Sequence, residues 1–214
     1  MTINRRTMLG VFLALPLSLA WSAAPTPPKT VYDYSLVTLD GKEAPLSAYK
    51  GKVLLIVNLA SKSIYQTQLQ ALEDLQKRYE SQGLVILGIP SSDFGAQELA
   101  DSAAIQHYYL DERHITFRVY SKASLRGKDS IPLVHFLTDP KEGAGGGDIH
   151  WNFTKFLVDR KGKPILRFEA DSDPSDPEFL VKLEQILDGT YKKPGSADKA
   201  TGNAAGGDES DDRE

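Results

Sequence analysis

The sequence predicts an α/β layered fold, a central mixed sheet flanked by helices, because buried strands and an amphipathic helix alternate along the chain. Continuous apolar runs at residues 52–59 and 84–89 are rich in branched side chains, as is typical of strands buried on both faces. A helix between them is predicted to end near Gly83. Its apolar stripe consists of Leu69, Leu72, Leu75 and Tyr79. Strand, helix and strand at this spacing indicate a βαβ unit with parallel strands.

The remaining elements complete the layers around this unit. Residues 32–39 and the Asp40-Gly41 turn predict a hairpin, and helices are expected at 97–109 and 131–138. A glycine-rich loop then leads to a second hairpin, whose strands are predicted at 153–158 and 164–168. The last helix is expected to start near Asp173-Pro174, a capping residue followed by a first-turn proline. Its expected buried residues are Phe179, Leu180, Leu183, Ile186 and Leu187.

The first 24 residues are predicted to be a secretory signal rather than part of the domain. Arg5 and Arg6 precede an apolar run at 9–20 that is too short to span a bilayer, and small residues follow. The paired arginines resemble the twin-arginine type of signal, and an ordinary basic leader of the general route is the alternative. We therefore expect cleavage near residues 20–24 and export, to a bacterial periplasm.

Composition and charge limit the partners of the mature chain. Of 214 residues, 41% are hydrophobic and 25% charged, which suits one globular domain at residues 30–191. Removal of the leader leaves 23 basic against 29 acidic residues, and this net charge of −6 argues against nucleic acid and anionic membrane partners. No membrane span is expected after removal of the leader. Residues 192–214 are polar and acidic at their end, so a disordered tail is predicted.

Four segments resemble the glutathione peroxidase family, whose members have a thioredoxin-like fold. The most specific is Trp-Asn-Phe-Thr-Lys-Phe-Leu-Val-Asp-Arg at 151–160, and the others lie at 50–58, 60–62 and 94–98. The resemblance extends from Val31 to about residue 187. It implies reduction of peroxides with glutathione or thioredoxin, in the response to oxidative stress.

The resemblance also implies a site that this chain has changed. The family's reactive cysteine or selenocysteine falls on Ser63, and its glutamine falls on Asp93, whereas Trp151 and Asn152 are retained. The second cysteine of thioredoxin-dependent members would lie near residues 108–109 and is absent. The chain has no cysteine at all, and its two methionines lie in the leader.

The two substitutions oppose thiol peroxidase chemistry. A peroxidatic thiolate must be ionised near neutral pH and must cycle through a sulfenic acid, and a serine hydroxyl does neither. A carboxylate at position 93 would disfavour a developing anion that a neutral amide could stabilise. Two functions stay open: an active peroxidase, or a degenerate member that keeps the fold and pocket to bind a small thiol, a peroxide-like ligand or a periplasmic protein.

The sequence gives weaker support for hydrolase activity and for metal binding. Ser63, Asp93 and His150 could form a hydrolase triad, but His150 and Trp151 should point to opposite sides of an extended segment. His150 is therefore expected at the surface. The other histidines, at 107, 114 and 135, lack ligand spacing and are expected to pack at core edges. No metal and no cofactor is predicted.

Overall fold

The computed structural model describes residues 29–192, and the predicted leader and all but the first residue of the predicted tail lie outside them. The strands are β1 (Ser35–Val37), β2 (Glu43–Pro45), β3 (Val53–Leu59), β4 (Leu84–Pro90), β5 (Arg118–Val119), β6 (Lys155–Val158) and β7 (Pro164–Phe168). The helices are α1 (Leu69–Tyr79), α2 (Ser102–Gln106), α3 (Pro132–Leu137) and α4 (Pro177–Leu187). Within residues 29–192, none of the helices is long and apolar enough to cross a membrane.

The central sheet has the order β5-β4-β3-β6-β7, and β1 with β2 forms a separate hairpin. β3 and β4 are parallel in register from Val53 opposite Leu84 to Leu59 opposite Pro90. β6 pairs antiparallel with β3 on its other side, and β7 pairs antiparallel with β6. The predicted βαβ unit and the second hairpin are therefore confirmed.

The alternation of side chains along β3 divides the core into two layers. Val57 and its neighbours on one face pack with α1 and α4, whereas Leu54 and Ile56 face a second cluster that includes residues of α3. Every residue of β3 is buried. This two-sided burial explains why the strand reads as a continuous apolar run rather than as an alternating one.

Two local predictions differ from the structure, and one strand was not predicted. The helix expected at 97–109 is α2, which starts only after Asp101 caps Ala104 N at 2.9 Å and then continues as a π-helical turn, His107–Glu112. The last helix begins at Pro177 rather than at Asp173-Pro174, because the carboxylate of Asp173 accepts a hydrogen bond from Ser175 N at 2.8 Å and closes a turn instead. The short strand β5 was not predicted.

Arg160 ties together three chain segments at the end of the sheet where β3 and β4 begin. Its Nη1 donates to Gly51 O at 2.9 Å, and its Nη2 donates to Gln82 O at 2.8 Å and to Leu187 O at 3.1 Å. These carbonyls precede β3, precede β4 and end α4. The guanidinium therefore satisfies backbone carbonyls at one end of the sheet. The candidate site lies at the opposite end.

Candidate functional site

The candidate site lies where β3 and β4 end and where the chain turns into β6. Phe153 N donates to Asn58 O at 2.8 Å, which joins this turn to the end of β3. Lys62 N donates to Gln97 O at 2.9 Å, which joins the loop after β3 to the loop after β4. The carboxyl ends of adjacent parallel strands form the usual crevice of an open α/β sheet. The structure thus gathers the loops that carry all four predicted site residues.

Ser63 serves as the cap of a helical turn. Its side chain is only 1% exposed, and its Oγ accepts a hydrogen bond from Tyr65 N at 3.3 Å at the start of the 3₁₀ segment Ile64–Gln68. The next residue, Ile64, is 75% exposed. The hydroxyl is therefore engaged in local structure, as serine commonly is at a helix start.

Asp93 uses its carboxylate to hold a loop. Its Oδ2 accepts hydrogen bonds from Leu125 N at 2.5 Å and from Ser124 Oγ at 3.2 Å. Among residues 29–192, no hydrogen bond links Asp93 to Ser63. The carboxylate therefore secures the segment at 124–125 to the end of β4, a role that depends on its charge and its acceptor oxygens.

Trp151 forms the exposed rim of the site. Its side chain is 40% exposed, and a Cβ added to Gly95 would stand 3.6 Å from its Cη2, so the indole lies against that glycine. Trp151 O accepts hydrogen bonds from Thr154 Oγ1 at 3.0 Å and from Asn58 Nδ2 at 3.3 Å. The backbone at Trp151 is thus fixed, and one part of the indole remains open to solvent.

Asn152 is fully buried with both amide protons committed. Its Nδ2 donates to Phe94 O and to Gln97 Oε1, each at 2.9 Å. The Phe94 carbonyl can only accept, so the orientation of the amide is fixed. Its Oδ1 has no hydrogen-bond partner within residues 29–192. As folded, Asn152 therefore offers an acceptor rather than a donor to its surroundings.

Two residues that shape this turn were missed by sequence reasoning. Phe153 is buried with φ of +66°, a left-handed conformation that is uncommon for a residue other than glycine. Lys155 is fully buried in β6, and its Nζ donates to Phe153 O at 2.8 Å. Burial lowers the pKa of Lys155 to about 8, although Asp173, Asp171 and Glu169 oppose that shift. A lysine inside a fully buried strand is the signal that could have drawn attention to it.

The structure does not assemble a hydrolase triad. The His150 side chain is 74% exposed and lies 3.5 Å from Glu169 through Nδ1, so its predicted place at the surface is confirmed. The expectation that the other three histidines pack at core edges is wrong, because residues 107, 114 and 135 are all exposed. Among residues 29–192, no group of three or more His, Asp or Glu side chains is arranged to hold a metal ion.

Tyrosines occupy the segment expected to hold a second cysteine. Tyr109 is buried and donates to Glu98 Oε2 at 2.8 Å, whereas Tyr108 donates to Gln66 Oε1 at 2.5 Å. Burial, followed by the charge of Glu98, raises the pKa of Tyr109 well above its ordinary value. Both phenols therefore serve as neutral hydrogen-bond donors that pack the π-helical turn against the rest of the domain.

Curated relatives agree with the motifs. The family model for glutathione peroxidase matches residues 31–138. A glutathione peroxidase from Lactococcus lactis is 40% identical over 151 residues, covering 71% of this chain and 96% of that relative. A hydroperoxy fatty acid reductase from Synechocystis is 38% identical over 164 residues, covering 74% of this chain and 96% of that relative.

Solved structures show the same fold. The crystal structure of Trgpx in apo form is 30% identical, with a TM-score of 0.60, and the match covers 75% of this chain and 97% of that one. A thiol:disulfide interchange protein of the thioredoxin family from Chlorobium tepidum matches in fold alone, at 19% identity and a TM-score of 0.55, over 77% of this chain and 99% of that one. The predicted thioredoxin-like fold is therefore confirmed, and the chain belongs to the glutathione peroxidase family.

Proposed function

We propose that this chain is a non-catalytic member of the glutathione peroxidase family that uses the retained pocket for binding. One observation carries the proposal: the reactive position holds the oxygen of Ser63, and none of the 214 residues is a cysteine. Thiol peroxidase turnover transfers oxygen from a peroxide to sulfur, giving a sulfenic acid that thiols reduce. A serine hydroxyl has no stable oxidised state equivalent to a sulfenic acid, so thiols have nothing to reduce.

The surroundings of Ser63 support the same conclusion. An anion at this position would need hydrogen-bond donors, but the two amide protons of Asn152 are already bound by other groups. Asp93 places a negative charge in the adjoining loop, where it would oppose a second anion. Both features favour a neutral residue at position 63, and the serine found there is neutral.

The rim supports a binding role. Trp151 and Ile64 are 40% and 75% exposed in two of the loops that form the site, which leaves both apolar side chains available for contact with a ligand or a protein segment. We propose a small thiol, a peroxide-like ligand or a periplasmic protein as the bound species. The apolar rim would contact its hydrocarbon part.

An active peroxidase is the second candidate. It is favoured by the names of the relatives, a glutathione peroxidase and a hydroperoxy fatty acid reductase, which suggest hydrogen or lipid peroxides as substrates. This function would require a redox atom other than a cysteine sulfur. The residues at positions 63 and 93 argue against it.

Peroxide consumption by the purified protein tests the proposal. Hydrogen peroxide and a fatty acid hydroperoxide would each be supplied with glutathione or with thioredoxin and its reductase. The wild-type rate should equal that of Ser63→Ala, a matched control that removes the hydroxyl. Turnover that increases with protein concentration and is lost in Ser63→Ala would refute the proposal and support the active enzyme.

Binding needs a separate measurement. Calorimetric titration with reduced glutathione tests the small-thiol class, with Trp151→Ala expected to weaken binding. Val181→Ala is a matched control, since Val181 is 52% exposed on α4 and distant in the chain from the site. Absence of heat with glutathione would argue against that class and leave a peroxide-like ligand or a periplasmic protein as the proposed bound species.

We also propose that the chain is exported to a bacterial periplasm through its first 24 residues. The support is the paired arginines and the apolar run that follows them. The mature amino terminus, sequenced from the periplasmic fraction, should begin near residues 20–25. Replacement of Arg5 and Arg6 by lysine should block export if the twin-arginine route is used, and recovery of the uncleaved chain from the cytosol of the wild-type strain would refute export.

A further inference from the structure

The turn that carries Trp151 and Asn152 adopts a costly backbone conformation. Phe153 has φ of +66°, and a residue with a Cβ is disfavoured in the left-handed region. Such a conformation persists only where the surrounding structure determines it, and it is frequent at functional sites. The contacts of this turn should therefore include the group that imposes the conformation.

Lys155 is the charged member of those contacts. Phe153 O accepts a hydrogen bond from Lys155 Nζ at 2.8 Å, and the same Nζ lies 3.5 Å from Glu169 O. The other donors of the turn are neutral. Asn58 Nδ2 and Thr154 Oγ1 donate to Trp151 O, Phe153 N donates to Asn58 O, and Asn152 Nδ2 donates to Phe94 O and Gln97 Oε1. A bond from an ionised donor is about twice as strong as one between neutral groups. The Lys155 ammonium is thus the strongest donor that holds the turn.

The sheet around Lys155 offers its ammonium no ion pair. Val57 of β3 and Phe168 of β7 stand opposite it in the sheet, and both are apolar. The charged groups that act on it are Glu169, Asp171 and Asp173, all in the segment after β7. Within residues 29–192 none of them comes within ion-pair distance of Nζ. Burial of an ammonium without a direct counter-ion is costly, so its retention indicates a specific task.

We propose that Lys155 is a positioning residue whose ammonium, bound to Phe153 O, fixes the turn at 151–153 and thereby the place of Trp151 on the rim. This role goes beyond the proposed function and does not depend on whether the pocket binds a ligand. Loss of the ammonium removes the charged donor but leaves the neutral hydrogen bonds of the turn in place. The turn should then open more often while the domain remains folded.

The protonation state of Lys155 gives this arrangement a dependence on pH. With a pKa of about 8, the amine is about nine-tenths charged at pH 7 and about one-tenth charged at pH 9. A neutral amine still donates, but its bond to Phe153 O is weaker. While the domain stays folded and the amine stays buried, the rim should therefore be rigid at neutral pH and looser above pH 8. Global unfolding exposes the amine and so has the opposite dependence on pH.

Fluorescence of Trp151 tests the proposal in the full chain. Trp21→Phe leaves Trp151 as the remaining tryptophan, since the sequence has two. Acrylamide quenching would be measured from pH 7 to pH 9 in that background, with Lys155→Met and with Lys141→Met, a control that removes an exposed lysine. We expect quenching to rise with a midpoint near pH 8 in the background and in the control. In Lys155→Met it should be high and independent of pH.

Hydrogen exchange of the Phe153 amide, which bonds Asn58 O, supplies a second measurement. At pH 7 it should exchange about tenfold or more faster in Lys155→Met, after correction for intrinsic rates. Equal quenching and equal exchange in a folded Lys155→Met would overturn the proposal. If that variant does not fold, a wild-type quenching curve that is flat from pH 7 to pH 9 overturns it, and a midpoint near pH 8 supports it.

Discussion

Burial of Lys155 predicts that the protein becomes more stable as the pH rises above neutral. The pKa of Lys155 is about 8 in the folded chain and 10.5 for a free lysine, because burial disfavours the ammonium. Between these values the unfolded chain binds more protons than the folded one, so the free energy of unfolding increases with pH. From pH 7 to pH 9.5 the increase is about 2 kcal/mol, which follows from about 1.4 kcal/mol per unit of pKa difference.

Urea unfolding followed by far-ultraviolet circular dichroism at intervals of half a pH unit measures this increase. Lys155→Met should remove it and give a flat profile in the same window, whereas Lys141→Met, at an exposed position, should preserve it. The window stops below pH 10, because ionisation of buried tyrosines then acts in the opposite direction: burial raises the pKa of Tyr109 above that of the unfolded chain. A wild-type profile that is flat or falls between pH 7 and pH 9.5 would refute the reasoning.

Three further outcomes follow from the residues described above. Ser63→Cys alone should show little peroxidase activity, and adding Asp93→Gln should raise the rate about tenfold, the effect of one pKa unit on the thiolate; equal rates of the single and double variants would contradict this. Gly88→Ala should destabilise the fold by about 1–3 kcal/mol, because the new Cβ would clash with Leu59 Cδ1, and in urea titrations the loss caused by Gly88→Ala should be smaller in a Leu59→Ala background. Burial would raise the pKa of Glu73, but hydrogen bonds from one threonine and one lysine hold it below its ordinary value. Glu73→Gln should therefore flatten the fall in stability that the wild type shows as the pH drops through that pKa, and an unchanged acid limb in thermal melts would argue otherwise.

The central sheet could be predicted from the sequence because the apolar residues that bury each of its central strands are consecutive in the chain. A strand buried on both faces needs apolar residues throughout, and β3 and β4 show this directly. The start of α4 could not be fixed in the same way. Asp173-Pro174 and Asp176-Pro177 satisfy the same capping rule, and the bond from Ser175 to Asp173 decides between them.

The candidate site was only partly predictable for a different reason. Motifs located positions 63, 93, 151 and 152, but the direction of each polar side chain depends on partners far away in the chain. Asp93 turns to Leu125, and Asn152 turns to Phe94. A single sequence gives the residue types and not these pairings, so the commitment of the asparagine amide became evident only in the folded structure.

The position of β3 between β4 and β6 has a consequence for the order of folding. β4 follows β3 after a single helix, so the first pairing closes a short loop, whereas the pairing of Leu54 with Val158 must wait for the end of β6. The turn at 151–153 belongs to that late segment. A nascent chain that stops before residue 150 would contain Ser63 and the βαβ unit. It would lack the turn at 151–153, which forms one side of the crevice. The site therefore depends on the same carboxyl-terminal part of the chain that completes the sheet.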